Sequence, residues 1–170
     1  MQDGNTALMR AALGGYLDVV DLLLNQGADA NMQSAQGGTA LMQACYRGHA
    51  DVVRRLLDAK ASTRLQDAYD GTALMRAADG GHKDVVEILL ELSDPADREF
   101  FLDAKHKYDG YTALMRAASK GHIECVRVLA KYGASMRIRN VAGKNVKNVA
   151  REAGKREIVN VLMELETFRE

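Results

Sequence analysis

A heptapeptide that returns at a near-constant interval constrains this chain more than any other feature. Thr6-Ala7-Leu8-Met9-Arg10-Ala11-Ala12 recurs as Thr39-Ala40-Leu41-Met42-Gln43-Ala44-Cys45, as Thr72-Ala73-Leu74-Met75-Arg76-Ala77-Ala78 and as Thr112-Ala113-Leu114-Met115-Arg116-Ala117-Ala118. The threonines are spaced 33, 33 and 40 residues apart, and a degenerate fifth copy, Asn145-Val146-Lys147-Asn148-Val149-Ala150, begins a further 33 residues on. A fixed period of this length describes stacked supersecondary units, each touching its neighbours, rather than one closed core.

Every copy continues through a glycine into a second apolar stretch, from Gly15 to Leu24, Gly48 to Leu57, Gly81 to Leu90, Gly121 to Leu129 and Gly154 to Leu162. Each unit therefore reads as two helices. The first opens at a threonine, or at Asn145, whose side-chain oxygen accepts from an orphan backbone N–H. The second carries Val19, Val20, Leu23 and Leu24, a spacing that predicts an apolar stripe on one face. Gly27 and Gly133 supply the left-handed residue that ends the second helix in two copies, and Lys60 and Ser93 stand at that position less comfortably. Between units, glycine-bearing polar stretches such as 31–38, 67–71 and 107–110 read as tight hairpin turns.

Composition narrows the class. A chain with 47% hydrophobic and 27% charged residues is made to fold, and its 23 basic and 23 acidic residues cancel, leaving no global field to draw it onto nucleic acid or a membrane surface. Cys45 and Cys125 lie in separate helical patterns, unlike a disulfide framework, which points to a reducing compartment. The start, Met1-Gln2-Asp3-Gly4, has no signal-peptide pattern and no apolar run is long enough to span a bilayer, so cytoplasm or nucleus is expected, with no membrane partner.

These units resemble the ankyrin repeat, whose hallmark is Thr-Pro-Leu-His-x-Ala followed by Gly-His, a Val-Val pair, Leu-Leu and Gly-Ala-Asp. Gly48-His49, Gly81-His82 and Gly121-His122 reproduce the second element, and Gly27-Ala28-Asp29 the last. Alanine replaces the hallmark proline, and Met9, Met42, Met75 and Met115 replace the hallmark histidine, which leaves open how neighbouring repeats are hydrogen-bonded. The resemblance implies an all-α ankyrin-repeat solenoid with projecting hairpin turns, four repeats at about 1–34, 35–67, 68–107 and 108–140 and a C-terminal cap at 141–170. The cap follows from the polar second helix with Lys155, Arg156, Glu157, Glu164 and Glu166. The first unit lacks the preceding half of its hairpin, so a start inside a longer protein and a true N-terminus are equally open. By the same resemblance the concave face is built from hairpins and first helices, and the function is recognition of another protein.

No clustered nucleophile, base and orienting group points to an enzyme, and no cofactor is implied. His49, His82 and His122 each occupy the Gly-His step, where a helix-turn role accounts for them. His122 and Cys125 are close enough for two metal ligands, but two make no site, and Cys125 falls where other copies carry Val19, Val52, Val85 and Ile158, as a small core residue would. Gly14-Gly15 and Gly80-Gly81 end helices rather than opening a phosphate loop. The methionines in register suit packing between repeats.

Three features rise above this background. Seven extra residues within 93–106 hold the only proline of the chain, and Asp94 as N-cap, Pro95 at the first helical position and Asp97 in the first turn predict an added helix of one or two turns. Phe100 or Phe101 is expected to pack beneath a neighbouring second helix, the alternative being that the added segment is a dedicated binding prong. Tyr69, Tyr108 and Tyr111 at hairpin tips, and Tyr46 at a first-helix end, occupy offsets that face the groove in the resembled family, where tyrosine offers contact area at low entropic cost. The residue four after each threonine, Arg10, Gln43, Arg76 or Arg116, is expected to line up along the concave face. There the arginines would either read an acidic or phosphorylated partner segment or be tied up by acidic neighbours such as Asp79, Asp70 or Asp109. Arg47, Asp79 and Lys120 complete the candidate partner-binding set. A monomeric, non-catalytic interaction module is the resulting expectation; a structural spacer and an inhibitor covering an enzyme's active site are the alternatives. Truncation after Asn140 is expected to bare an apolar flank and yield an aggregating chain, and a soluble monomeric truncate with unchanged thermal unfolding would remove the capping assignment.

Overall fold

The structure, a computed structural model, describes residues 4–167. Five helix pairs follow the period: α1 (Ala7–Gly14) and α2 (Leu17–Asn25), α3 (Ala40–Arg47) and α4 (Ala50–Asp58), α5 (Ala73–Gly80) and α6 (Lys83–Leu92), α8 (Ala113–Lys120) and α9 (Ile123–Lys131), α10 (Val146–Glu152) and α11 (Arg156–Thr167), with α7 (Pro95–Leu102) between the third and fourth. First helices stack in the order α1, α3, α5, α8, α10, and second helices in the order α2, α4, α6, α9, α11. The expected solenoid is the observed one.

Local chemistry starts each pair. The hydroxyls of Thr6, Thr39 and Thr72 accept from the backbone N–H of Met9, Met42 and Met75 at 3.2 Å, Thr112 from Met115 at 3.3 Å, and the Asn145 amide oxygen from Asn148 at 3.1 Å. Each satisfies one of the N–H groups a helix start leaves without a partner. The four in-register methionines are all buried between repeats, as are Cys45 and Cys125. Burial drives the Cys45 thiol well above the ordinary cysteine range, and burial first, then the charges of Glu124, Asp84 and Glu87, raise Cys125 to about 11. Both remain un-ionised at neutral pH and act as small apolar side chains.

The Gly-His step does more than turn the chain. Gly15, Gly48, Gly81 and Gly121 end the first helices with φ of 73°, 78°, 74° and 93°. The histidine of each following repeat lies over the glycine of the one before: His49 Nε2 donates to the Leu13 carbonyl at 3.1 Å, His82 to Tyr46 at 2.9 Å and His122 to Asp79 at 3.1 Å. The hydrogen bonds between repeats that the methionine substitutions left open are thus made one step along the unit. In the last repeat the Lys155 side chain takes this place over Gly121.

Two expectations are corrected. Val19 is 45% exposed, with Tyr16 and Leu22 at 63% and 60%, whereas Val52, Val85, Cys125 and Ile158 at the same position are buried. Repeat one has no preceding repeat among the described residues to cover this face. Lys60 does adopt the left-handed conformation, φ 64°, beside Gly27 and Gly133, but Ser93 does not; it is extended, φ −76° and ψ 147°, and leads directly into α7. There Asp94 caps the added helix, accepting from Ala96 N–H at 2.9 Å, and the two phenylalanines part company. Phe101 is fully buried, while Phe100 is 40% exposed beneath the Arg64 guanidinium, 4.9 Å from its ring centre.

The glycine positions supply a stability test. A Cβ on Gly81 would lie 2.5 Å from His122 Nδ1, whereas nothing lies within 4 Å of one on Gly27, although both residues are left-handed. Gly27→Ala is expected to lose about 1 kcal/mol through its backbone alone, and Gly81→Ala about 2–4 kcal/mol, because the histidine that ties repeats three and four is pushed off as well; urea unfolding of the two variants measures the difference.

Candidate functional site

Successive repeats are joined by turns closed through their own backbone: Ser34 N–H to Gly38 O at 2.9 Å, Asp67 to Gly71 at 3.0 Å, His106 to Tyr111 at 3.0 Å and Asn140 to Lys144 at 3.0 Å. Single bonds link one turn to the next, Ala68 N–H to Gln36 O and Lys107 N–H to Tyr69 O at 2.9 Å, and Val141 N–H to Asp109 O at 3.1 Å. One bond per junction is too few for a ladder, and no strand forms among the described residues. The turns nevertheless make a continuous edge beside the first helices.

A side-chain acceptor anchors each turn. Ser34 Oγ accepts from Gly38 N–H at 3.1 Å, and Asn140 Oδ1 from Lys144 N–H at 2.9 Å. In the second, Asp67 Oδ1 accepts from Tyr69 and Gly71 N–H at 2.8 and 2.9 Å. The other carboxylate oxygen of Asp67 takes the Arg76 guanidinium, and this aspartate side chain is only 3% exposed. The third turn is wider, and its acceptor moves to Asp109, which takes Tyr111 N–H at 2.9 Å, His106 Nδ1 at 3.0 Å and Arg116 Nη2 at 2.8 Å.

The arginine register therefore differs from a bare cationic strip. Arg76 is held by Asp67 and Arg116 by Asp109, while neither Asp70 nor Asp79 serves as the partner in these pairs. Arg116 also lies 5.4 Å from the Tyr111 ring centre. Gln43 is half-buried and Arg10 exposed.

The structure brings several of the remaining candidates together. A cleft of about 220 Å³ joins Gln43, Tyr46, Asp67 and Arg76, and one of about 210 Å³ extends from Asn5 through Gln43 to Tyr69 and Arg76. A third, of about 300 Å³, adds Asp79, His106, Asp109 and Arg116, and a fourth, of about 370 Å³, carries Tyr108, Tyr111, Lys144 and Glu152. Arg47 and Lys120 are exposed, and they and Arg10 line none of these four. Tyr69, Tyr108 and His106 form an aromatic triangle with ring centres 5.5, 6.1 and 6.4 Å apart.

Sequence reasoning missed Asp67 and His106. The former had a signal: Ser34, Asp67 and Asn140 share a register, each four residues before the residue whose N–H it accepts. The latter had none, since it falls beside the seven-residue insertion.

A family model described as ankyrin repeats (3 copies) matches residues 8–99 and 98–168. The chain belongs to the ankyrin-repeat family. Comparison with curated proteins gives no match. Ankyrin repeats are in general protein–protein interaction modules and in general non-catalytic. No helix among the described residues is long and apolar enough to cross a membrane.

Asp67 is the anchor whose loss is most readily measured in this ankyrin array. Asp67→Ala is expected to cost about 1–3 kcal/mol, since two backbone N–H groups and a guanidinium lose their acceptor. Arg76→Ala, which removes a side chain 42% exposed and leaves the buried carboxylate both N–H donors, is expected to cost less than Asp67→Ala. Thermal and urea unfolding of the two variants check this order.

Proposed function

We propose that this chain is a non-catalytic recognition module that holds a segment of a partner protein along its concave face. The observation that carries this reading is the run of adjoining clefts beside the turns, three of which share Arg76 as a wall. A run of clefts on a rigid stack suits a ligand that extends across several repeats.

Within this reading the tyrosines are the anchors. Tyr46, Tyr69 and Tyr108 are 45%, 38% and 67% exposed, and each offers a large amphipathic surface with few torsions to freeze on binding. Arg10, Gln43, Arg76 and Arg116 share a register along the first helices, with Arg47, Asp79, Tyr111 and Lys120 around them. The charges of Arg76 and Arg116 are already matched by Asp67 and Asp109, which ranks charge readout by those two arginines below aromatic contact.

The test is capture of partners from a lysate by the wild-type chain and by the Tyr46→Ala/Tyr69→Ala/Tyr108→Ala variant. The expected result is loss of the specific partners with little change in melting temperature, because all three side chains are substantially exposed. Capture of the same partners by this variant and by Arg76→Gln/Arg116→Gln alike would overturn the groove reading, and absence of specific capture by the wild-type chain would favour a spacer role. Loss of capture by Arg76→Gln/Arg116→Gln, with the tyrosine variant still competent, would move recognition to the arginines.

A further inference from the structure

The cleft of about 300 Å³ between the second and third turns contains a polar group that the fold does not use. Asp79 lines it, and its Oδ1 is buried with no hydrogen-bond partner. Most buried carboxylate oxygens in folded proteins accept a hydrogen bond, and one that does not raises the energy of the unliganded state. The cations nearest in register are committed elsewhere, Arg76 to Asp67 and Arg116 to Asp109. The backbone carbonyl of Asp79 already receives His122 Nε2, so this residue is fixed in place by the following repeat while its Oδ1 lacks a donor. The sequence marks the position too. At the offset seven after the threonine, the other full repeats carry Leu13, Tyr46 and Ser119, so an acid here belongs to repeat three among the four.

We propose that this cleft is a subsite for a cationic side chain of the partner, with Asp79 as its counter-ion; the inference rests on reading the concave face as the partner-binding surface. Charge supports it. At the cleft and its edge, the three carboxylates of Asp67, Asp79 and Asp109 face two guanidinium groups and the His106 imidazole, which lies on Asp109 and not on Asp79. A cation adds the missing positive charge without disturbing either pair. An anion would meet three carboxylates, and the donors within its reach, the remaining guanidinium N–H groups and the Tyr69 hydroxyl, stand beside them. Shape supports it as well. Tyr69 lines the cleft and belongs to the aromatic triangle with His106 and Tyr108, and ring faces attract cations, a planar guanidinium above all. The partner side chain is an arginine or a lysine, with arginine the better fit to a flat aromatic wall beside a carboxylate.

The test is an amide chemical-shift titration of the whole chain with three small probes: Nα-acetyl-arginine amide, Nα-acetyl-glutamine amide and Nα-acetyl-glutamate amide. The expected result is that the arginine probe shifts the amides of Tyr69, Gly71 and Asp79, that the uncharged and acidic probes do so far less, and that added salt weakens the response. Asp79→Asn keeps the size and shape of the side chain and is expected to weaken arginine binding about tenfold. Tyr69→Ala, at a more exposed position, is expected to weaken it too and serves should Asp79→Asn not fold. An equal response to the glutamine probe, a stronger one to the glutamate probe, no response to the arginine probe, or unchanged arginine binding in folded variants would each overturn the subsite. Failure here beside loss of partner capture in the tyrosine variant overturns the cationic subsite while leaving the groove reading standing.

Discussion

The closeness of the first helices is the constraint on which the rest of this molecule depends. Where α1, α3, α5, α8 and α10 meet, the chain places Ala11-Ala12, Ala44-Cys45, Ala77-Ala78, Ala117-Ala118 and Val149-Ala150, all at most 5% exposed. Small side chains let neighbouring helix backbones approach closely, and a larger one in such a seam forces the repeats apart. That spacing also puts each turn within backbone hydrogen-bonding distance of the next, and each histidine ring over the glycine one repeat back. Pry two first helices apart and these contacts fail together.

Polar groups are satisfied by the same economy in the first three units. A threonine or asparagine oxygen caps the start of the first helix, a left-handed glycine closes its end in the four full repeats, and an imidazole from the next repeat reaches a backbone carbonyl there. The unit thereby gains an apolar methionine in its core without giving up hydrogen bonds between repeats. The fifth helix pair departs from this pattern: Lys155 covers Gly121 with its aliphatic stem, and α11 presents Arg156, Glu157 and Glu164 to solvent.

Individuality is confined to places the period does not control. The turns bear Ser34, Asp67, Lys107 and Asn140 at one register, and where the lysine breaks the series the anchoring carboxylate shifts to Asp109 and the turn widens. The inserted α7 adds a buried Phe101, and its Asp97 pairs with Arg64 at 3.2 Å, so it is integrated with the array rather than projecting from it as a prong. Asp79 stands apart from both kinds of feature, as a polar group with no evident role in holding its own repeat together.

Sequence alone determined the elements and their order, because helix starts, helix ends and apolar stripes depend on residues within a few positions of one another. Thr72 capping Met75, Gly81 turning left-handed and Pro95 opening α7 were all legible for that reason. Val19 and Ser93 defeated the same reasoning, the first because burial depends on a neighbouring repeat and the second because the insertion redirects the chain. The site was legible only as a register of arginines and a set of tyrosines. That Arg76 is bound by Asp67, that Tyr69 meets His106 and Tyr108, and that Asp79 Oδ1 is left without a donor was decided by the tertiary structure. Such contacts join side chains from different turns or set a helix against the turn beside it. The stacking geometry of whole repeats, not the spacing within any one of them, sets which of these groups meet.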